Sequence, residues 1–289
     1  MTPTRNQRLR KLIAAGTVQM PGAFNALAAR AIEKAGFDAL YVSGAGLSNA
    51  VFGLPDVGMI SMTEAVTHAR QICAAVNIPV IVDGDTGFGE AVNTARTIRE
   101  METAGVSGIH LEDQVLPKRC GHLDGKELIT ADAMSEKIRA ACAARTDPDF
   151  LIIARTDARG VTSVDDAVER ANRYLAAGAD AIFPEAMKSK EELAEFAKKV
   201  KAPLLANMTE FGKTPLVPLA ELSEMGYRMV IYPQTALRVA FKAVGEMLAD
   251  LKRDGSQSAW VDRMQTRAEL YDLLDYDGLN QIDKAATKT

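Results

Sequence analysis

Acidic side chains end two short apolar runs of the sequence. Asp83 and Asp85 end the run VIVDGD, and Glu112 ends the run GIHLED. Residues two apart in an extended strand face the same side, so we expect the two aspartates to lie together. Neighbouring carboxylates raise each other's pKa unless a cation lies between them. Because only His122 among the histidines is expected nearby, this oxygen-rich set indicates Mg²⁺ or Mn²⁺ and not Zn²⁺. The alternative is that the acids cap helices or pair with Arg155.

One cysteine lies in a segment with neither strand nor helix periodicity. This segment, residues 113–126, reads DQVLPKRCGHLDGK and contains Cys120 between Lys118, Arg119 and His122. Long loops in barrel enzymes are commonly lids or binding loops. Cationic neighbours lower the pKa of a thiol, so Cys120 is expected to serve as an acid or base near neutral pH. The alternative is an incidental exposed thiol.

These residues need a scaffold that brings several strand ends together. Short β-branched runs alternate with helical patterns such as VDDAVERANRYLAAG, which ends in a glycine typical of a helix C-terminus. The eight strand-like runs are TVQM near 17, ALYVSG near 39, VIVDGD near 80, GIHLED near 108, FLIIARTD near 150, AIFPE near 181, LLANM near 204 and MVIYP near 229.

Eight strand-then-helix units predict an α/β fold, a (β/α)8 barrel of the TIM type, because closure leaves no exposed strand edge. The second choice is a doubly wound open sheet, which would carry a Gly-rich phosphate loop after the first strand. Residues 21–25, PGAFN, lack that pattern. We expect a single domain over residues 1–289, with residues 256–289 as a C-terminal helical extension.

Polar residues stand at the same end of every candidate strand, where barrel enzymes have their active sites. Loop polarity alone would produce one or two such ends, but not all of them. Several of these residues suit substrate carboxylates, and arginine does so best because it binds them with two hydrogen bonds. The strand-end residues include Ser43, Gly44, Ala45, Arg155, Glu185, Asn207, Thr209 and Arg238.

Composition is typical of a globular enzyme. The chain has 289 residues, of which 47% are hydrophobic and 25% charged. A net charge of −4 argues against nucleic acid as a partner. The apolar runs have the length of strands and the N-terminal segment lacks an apolar core, so neither a membrane helix nor a signal peptide is expected. The cysteines lack paired spacing, which favours a reducing cytoplasm. Cys73 and Cys142 are expected to be small core residues.

Two other barrel chemistries are disfavoured. A Schiff-base aldolase needs a desolvated lysine in the barrel mouth, and no candidate strand contains a lysine. A barrel for phosphate substrates usually has Gly-rich loops after its last two strands. The segments there are NMTEFGKTP and YPQTALR, which have no glycine cluster.

The segment Lys118-Arg119-Cys120-Gly121-His122 resembles the cysteine signature of the isocitrate lyase and phosphoenolpyruvate mutase superfamily. Within it, the chain most resembles the bacterial 2-methylisocitrate lyases, from about Gly22 to Tyr276. The matching segments are YVSGAG at 41–46, GLPD at 53–56, VDGDTGFG at 82–89, HLEDQ at 110–114, ARTDA at 154–158, FPEA at 183–186, NMTEFGKTP at 207–215 and MQTRAELYD at 264–272.

The resemblance implies a barrel whose last helix is swapped between subunits of a homotetramer, a dimer of dimers. It implies that Asp85 binds Mg²⁺ directly, while Asp56, Asp83 and Glu112 act largely through water. It implies a substrate site that contains the signature residues Gly121 and His122 and is lined by Tyr41, Ser43, Gly44, Ala45, Arg155, Glu185, Asn207, Thr209 and Arg238.

The expected reaction is cleavage of a small 2-hydroxy polycarboxylate, 2-methylisocitrate, to pyruvate and succinate in propionate catabolism. Cys120 is the expected proton donor and Arg155 stabilises developing charge. Glu185, Tyr41 or a water is the base that removes the hydroxyl proton. Phe183 and Ile231 are expected to accept the 2-methyl group. The alternatives are a 2,3-dimethylmalate lyase, a related 2-hydroxydicarboxylate lyase or oxaloacetate decarboxylase, and a non-catalytic barrel that binds carboxylates.

Overall fold

The computed structural model of the chain describes residues 2–287. All eight apolar runs form strands, as the sequence predicts. The strands are β1 (Val18–Pro21), β2 (Leu40–Val42), β3 (Val80–Asp83), β4 (Gly108–Glu112), β5 (Leu151–Thr156), β6 (Ala181–Pro184), β7 (Leu204–Asn207) and β8 (Tyr227–Tyr232).

Helices connect and follow the strands. Most begin after a Ser, Thr or Asn whose side chain accepts a hydrogen bond from the first turn, as at Asn25, Ser61 and Thr130. The helices are α1 (Arg5–Ala15), α2 (Ala26–Lys34), α3 (Gly44–Phe52), α4 (Met62–Ala75), α5 (Ala91–Thr103), α6 (Ala131–Ala144), α7 (Ala158–Val161), α8 (Val164–Ala176), α9 (Lys190–Lys199), α10 (Leu219–Glu224), α11 (Thr235–Asp254), α12 (Arg267–Leu273) and α13 (Tyr276–Ala286).

The strands form one parallel sheet that closes on itself, which excludes the open doubly wound sheet. Its order is β1-β8-β7-β6-β5-β4-β3-β2, and β1 pairs with β8 in the register Val18–Met229. The ring is completed where the amide of Ala23 donates to the carbonyl of Tyr41 over 2.8 Å. Gly22 is required at this junction, because a Cβ there would clash with the carbonyl of Pro233. The predicted (β/α)8 barrel is therefore confirmed.

Apolar side chains fill the barrel and the space outside it. Inward residues such as Met20, Ile81, Ile153 and Leu205 form the inner core. Helix α1 closes the amino-terminal end of the barrel with Leu9, which is fully buried. The opposite end, where the strands finish, stays open and carries the polar residues.

Only the first part of the helix after the last strand packs on its own barrel, where the ring of Phe241 lies 6.5 Å from that of Phe24. Of the residues of α11, only Leu237 is buried, and its apolar residues Val239 and Phe241 are 68% and 54% exposed. The C-terminal extension is helical and consists of a 3₁₀ helix (Ser258–Arg263) followed by α12 and α13. Helix α12 contacts α2 of the same chain through Lys34 and Asp272.

Over residues 2–287, no helix combines the length and apolar character needed to cross a bilayer.

Candidate active site

The open end of the barrel encloses a cavity of about 620 Å³. Most of the residues predicted for the site line it, whereas Gly44, Asp85 and Glu112 lie just behind the wall. The predicted residues on the wall are Tyr41, Ser43, Ala45, Asp56, Asp83, Cys120, Gly121, His122, Arg155, Glu185, Asn207, Thr209 and Arg238. One cavity therefore collects residues from all parts of the chain.

Asp83 and Asp85 lie together, but not because both belong to a strand. Strand β3 ends at Asp83, and Asp85 has a left-handed backbone with φ of 44°. The amide of Asp85 donates to Oδ1 of Asp83 over 3.0 Å, and both carboxylates lie beside Gly44, which follows β2. The expectation of two residues facing one side of an extended strand is wrong; a turn brings them together instead.

The side chain of Lys118 lies between the carboxylates of Asp56 and Asp85. Its Nζ is 2.7 Å from Oδ1 of Asp85 and also pairs with Asp56. Glu112 lies next to them, and its Oε2 is 3.2 Å from Nη1 of Arg155. Pairing with Arg155 is the alternative to a metal site given above, and Glu112 makes that pair. Oδ2 of Asp83 accepts from the amide of Gly44, the first residue of α3, over 3.1 Å, so Asp83 also caps a helix, as the same alternative expected.

The acidic group fits a hard cation that keeps much of its water. Both carboxylate oxygens of Glu112 are buried without a hydrogen bond. No three His, Cys, Asp or Glu side chains of residues 2–287 converge closely enough to hold an ion by themselves. An ion here would have few direct protein ligands and would complete its shell with water, which is the habit of Mg²⁺. Asp85, Asp83, Asp56 and Glu112 are the residues that would hold it.

Burial and mutual repulsion separate the protonation of these acids. Burial raises the pKa of Asp85 to about 6, Lys118 opposes this shift, and the charge of Asp83 adds to it. Burial also raises the pKa of Asp83, but His110, Lys118 and Arg155 outweigh it, so the pKa falls to about 2. The site therefore holds negative charge that a cation would stabilise.

Cys120 faces the cavity from the loop that links β4 to α6. Burial raises the pKa of its thiol above the usual range, while Arg155 only partly opposes this. The expectation that cationic neighbours lower this pKa is wrong, because those cations are engaged elsewhere. Lys118 pairs with Asp56 and Asp85, and the side chain of Arg119 is on the exposed side of the loop. The thiol is therefore protonated at neutral pH and suited to donate a proton.

His122 joins the loop to the far wall of the cavity. Its Nδ1 accepts from the amide of Lys213 over 3.0 Å, and its Nε2 lies 3.3 Å from Oε1 of Glu185. Asn207 donates to Oε2 of Glu185 over 3.1 Å. Glu185 thus receives contacts from both the loop and β7.

Two arginines supply positive charge to the cavity. Arg155 is buried and its Nη2 lies 3.5 Å from Oε2 of Glu185, while its guanidinium stacks on Phe183 at 5.1 Å. Arg238 is more exposed and pairs with Oε2 of Glu210 over 2.8 Å. Between them the cavity offers one fixed and one accessible cation for carboxylates.

A second histidine lies at the site, against the expectation that only His122 would. Nε2 of His110 is 2.7 Å from the hydroxyl of Tyr41 and 3.6 Å from Oδ1 of Asp83. Burial lowers the pKa of His110 to about 4, so the ring is neutral. Burial and the charge of Asp83 raise the pKa of Tyr41 far above its usual range. The strand alternation that turns Glu112 inward would have revealed His110 as well, because the two are two residues apart.

A family model described as phosphoenolpyruvate phosphomutase matches residues 9–252. The chain belongs to this family. The family assignment agrees with the superfamily that the cysteine signature indicates.

Relatives within the family extend over nearly the whole chain. A "probable 2-methylisocitrate lyase 2" of Corynebacterium glutamicum is 52% identical over 286 residues, which is 98% of this chain and 93% of that protein. A 2,3-dimethylmalate lyase of Eubacterium barkeri is 45% identical over 266 residues, covering 92% of each chain.

Solved structures of the family share the fold. A crystal structure of 2,3-dimethylmalate lyase has a TM-score of 0.94 and 36% identity, covering 99% of this chain and 97% of that one. A phosphonopyruvate hydrolase in complex with oxalate and Mg²⁺ has a TM-score of 0.88 and 33% identity, covering 98% and 99%.

Two buried lysines, Lys118 and Lys126, were not predicted from the sequence. The strands contain no lysine, as expected, and both residues belong to the loop of residues 113–126. Burial would lower the pKa of Lys118, yet Asp85, Glu112 and Asp56 raise it well above the usual value. Such a lysine stays charged, which argues against Schiff-base chemistry.

Proposed function

We propose that the chain cleaves (2R,3S)-2-methylisocitrate to pyruvate and succinate. The observation that carries the proposal is the protonated thiol of Cys120 in one cavity with Arg155 and the buried acids. A carbon–carbon cleavage that leaves a carbanion needs a proton donor beside groups that stabilise negative charge. The family relatives named for this activity support the choice of substrate.

The cleavage moves one proton off the substrate and one onto a product. A base takes the 2-hydroxyl proton, the C2–C3 bond breaks, and its electron pair passes to C3 as pyruvate leaves. Sγ of Cys120 then gives its proton to C3, forming succinate and a thiolate that must be reprotonated. Arg155 stabilises the developing anions from the cavity wall.

The base is Glu185 or a water that it orients. The raised pKa of Tyr41 keeps its phenol protonated at neutral pH, so Tyr41 positions the substrate and does not take the proton. Glu185 lies on the cavity wall within 3.5 Å of Arg155. It is therefore close to the charge that forms when the hydroxyl is deprotonated.

Magnesium belongs in the proposal through the acidic group. Asp85 with Asp83, Asp56 and Glu112 would hold Mg²⁺ or Mn²⁺, and the Mg²⁺ in the phosphonopyruvate hydrolase structure supports this. When bound, the ion supplies positive charge that stabilises the oxyanion and carboxylate of the substrate. The backbone amides of Ser43 and Ala45 at the start of α3 would complete the carboxylate-binding wall, while the amide of Gly44 donates to Asp83.

The 2-methyl group would contact apolar strand ends. Phe183 and Ile231 are buried and line the cavity. Arg238 with Thr209 would bind a distal carboxylate of the substrate, because their Nη1 and Oγ1 atoms lie 3.4 Å apart at the rim. This pairing of an apolar contact and an outer cation fits a methylated tricarboxylate.

The second candidate is 2,3-dimethylmalate, which would give pyruvate and propionate. The close structural match to 2,3-dimethylmalate lyase favours it. Dimethylmalate lacks the third carboxylate, so it would leave Arg238 with Glu210 as its carboxylate partner and no contact to the substrate. The accessible arginine is the reason to prefer methylisocitrate.

We also propose that the chain works as a single barrel domain in a homotetramer within the cytoplasm. The exposed apolar face of α11 would pack on a partner's barrel, as a swapped helix does. The thiol of Cys120 must stay free, which suits a reducing compartment.

Product analysis with Mg²⁺ tests the proposed reaction. Methylisocitrate, isocitrate, dimethylmalate, oxaloacetate and phosphonopyruvate are supplied separately. Pyruvate with an equal amount of succinate from methylisocitrate supports the proposal. If dimethylmalate is the efficient substrate and propionate is released in place of succinate, the second candidate is supported. Turnover of none of the five would favour a carboxylate-binding barrel.

A further inference from the structure

Lys126 is a buried cation that the reaction itself does not use. Its side chain is 1% exposed. Lysine is rarely buried unless it is paired, and Lys126 has two partners. Nζ donates to Oδ1 of Asp157 over 2.7 Å and also to the carbonyl of Gly121. It therefore joins the residue after Cys120 to the end of β5.

Asp157 is a fixed anchor. Its carboxylate accepts from Nε of Arg155 over 2.9 Å, and its backbone amide donates to Oδ1 of Asp113 over 2.9 Å. Burial alone would raise the pKa of Asp157, but Arg155 and Lys126 hold it well below the usual range. The anchor is thus charged, and it is shared between the loop lysine and the arginine of the substrate wall.

Two glycines make room for this arrangement. A Cβ on Gly160 of α7 would lie 2.8 Å from Nζ of Lys126. A Cβ on Gly121 would lie 2.5 Å from Nη2 of Arg155 and from Cγ of Glu185. The backbone beside Cys120 therefore packs directly on Arg155 and Glu185, with its carbonyl held from behind by Lys126.

We propose that Lys126 is a positioning residue, which bridges Gly121 to Asp157 and so holds Cys120 against the Arg155–Glu185 wall. It touches no reacting atom. Without Lys126, the cysteine loop would separate from the Arg155–Glu185 wall. The thiol would then be more exposed to solvent and poorly positioned to protonate the substrate. The kinetic consequence rests on the proposed function, whereas the exposure of Cys120 does not.

Lys126→Met removes the charge and keeps a side chain of similar length. Iodoacetamide labelling of Cys120 without substrate, measured by peptide mass spectrometry, is expected to be several-fold faster than in the native chain. With Mg²⁺ and methylisocitrate, kcat is expected to fall by roughly tenfold or more with little change in KM. That is the scale of one lost charge-assisted hydrogen bond. Lys11→Met, at an exposed position of α1, is the control and should match the native chain.

Gly160→Ala gives a second route if Lys126→Met does not fold. It keeps the lysine but crowds its Nζ, and a helical alanine there needs no unusual backbone. Faster labelling of Cys120 is again expected, by a smaller factor. Native labelling rates in the folded variants, with native kcat, would overturn the proposal. Absence of lyase activity with faster labelling would instead overturn only the proposed function.

Discussion

Replacement of Cys120 by serine removes the proton donor and leaves the shape of the site. Burial raises the pKa of the thiol above its usual range, so the thiol carries its proton at neutral pH. A serine hydroxyl is far less acidic and protonates a carbanion poorly. General acid catalysis contributes roughly 10²–10⁴-fold, or about 3–5 kcal/mol. We expect kcat of Cys120→Ser to fall by that factor, with a smaller change in KM.

Steady-state pyruvate release at saturating Mg²⁺ measures this loss. Cys142→Ser is the matched control, because that thiol only donates to the carbonyl of Gly178 and lies away from the cavity. It should keep native kcat. If Cys120→Ser retains more than about a tenth of the native rate, Cys120 is not the proton donor.

The pH profile checks the protonation state of the same thiol. A donor acts below its pKa, and the pKa of Cys120 is raised. The kcat should therefore hold at neutral pH and fall as pH rises through the thiol pKa. A kcat that rises with pH over this range would indicate a thiolate and contradict the assignment.

The remaining predictions concern the metal, the methyl group and assembly. EDTA should abolish activity, and Mg²⁺ or Mn²⁺ should restore it. Asp85→Ala should lose Mg²⁺ binding by calorimetry with native circular dichroism, because Asp85 lies in a turn beyond β3; full activity in a proven metal-free preparation would refute this. Isocitrate lacks the methyl group that we propose Phe183 and Ile231 accept, so its kcat/KM should be roughly 10–200-fold lower; equal values would contradict the methyl contact. Light scattering should give a tetramer because the apolar face of α11 is exposed, whereas a monomer at micromolar concentration would exclude the swapped helix.

The barrel could be predicted because its signal is local and repeated. Eight short apolar runs occur along the chain, and polar residues follow all of them but the first. Rules for parallel strands then place those ends around one cavity. Residues as distant as Ser43 and Arg238 could therefore be assigned to one site without any contact being known.

Contacts that depend on the loop could not be predicted. The pKa of Cys120 is set by burial and by where Lys118 points, and neither follows from sequence spacing. The left-handed backbone of Asp85 is likewise a property of the folded turn. The pairing of Lys126 with Asp157 joins residues that are 31 positions apart, and no sequence pattern in either segment predicts it. Position along a strand is readable, whereas the partners of long side chains depend on the packed structure.

The most direct test of the proposed substrate compares kcat/KM of the Mg²⁺-loaded protein for methylisocitrate and for dimethylmalate. The third carboxylate, bound at Arg238, should make methylisocitrate the better substrate by about tenfold or more, the scale of one charged contact. Arg238→Ala should remove most of that preference. Equal or greater kcat/KM for dimethylmalate would contradict the assignment of this chain to methylisocitrate cleavage.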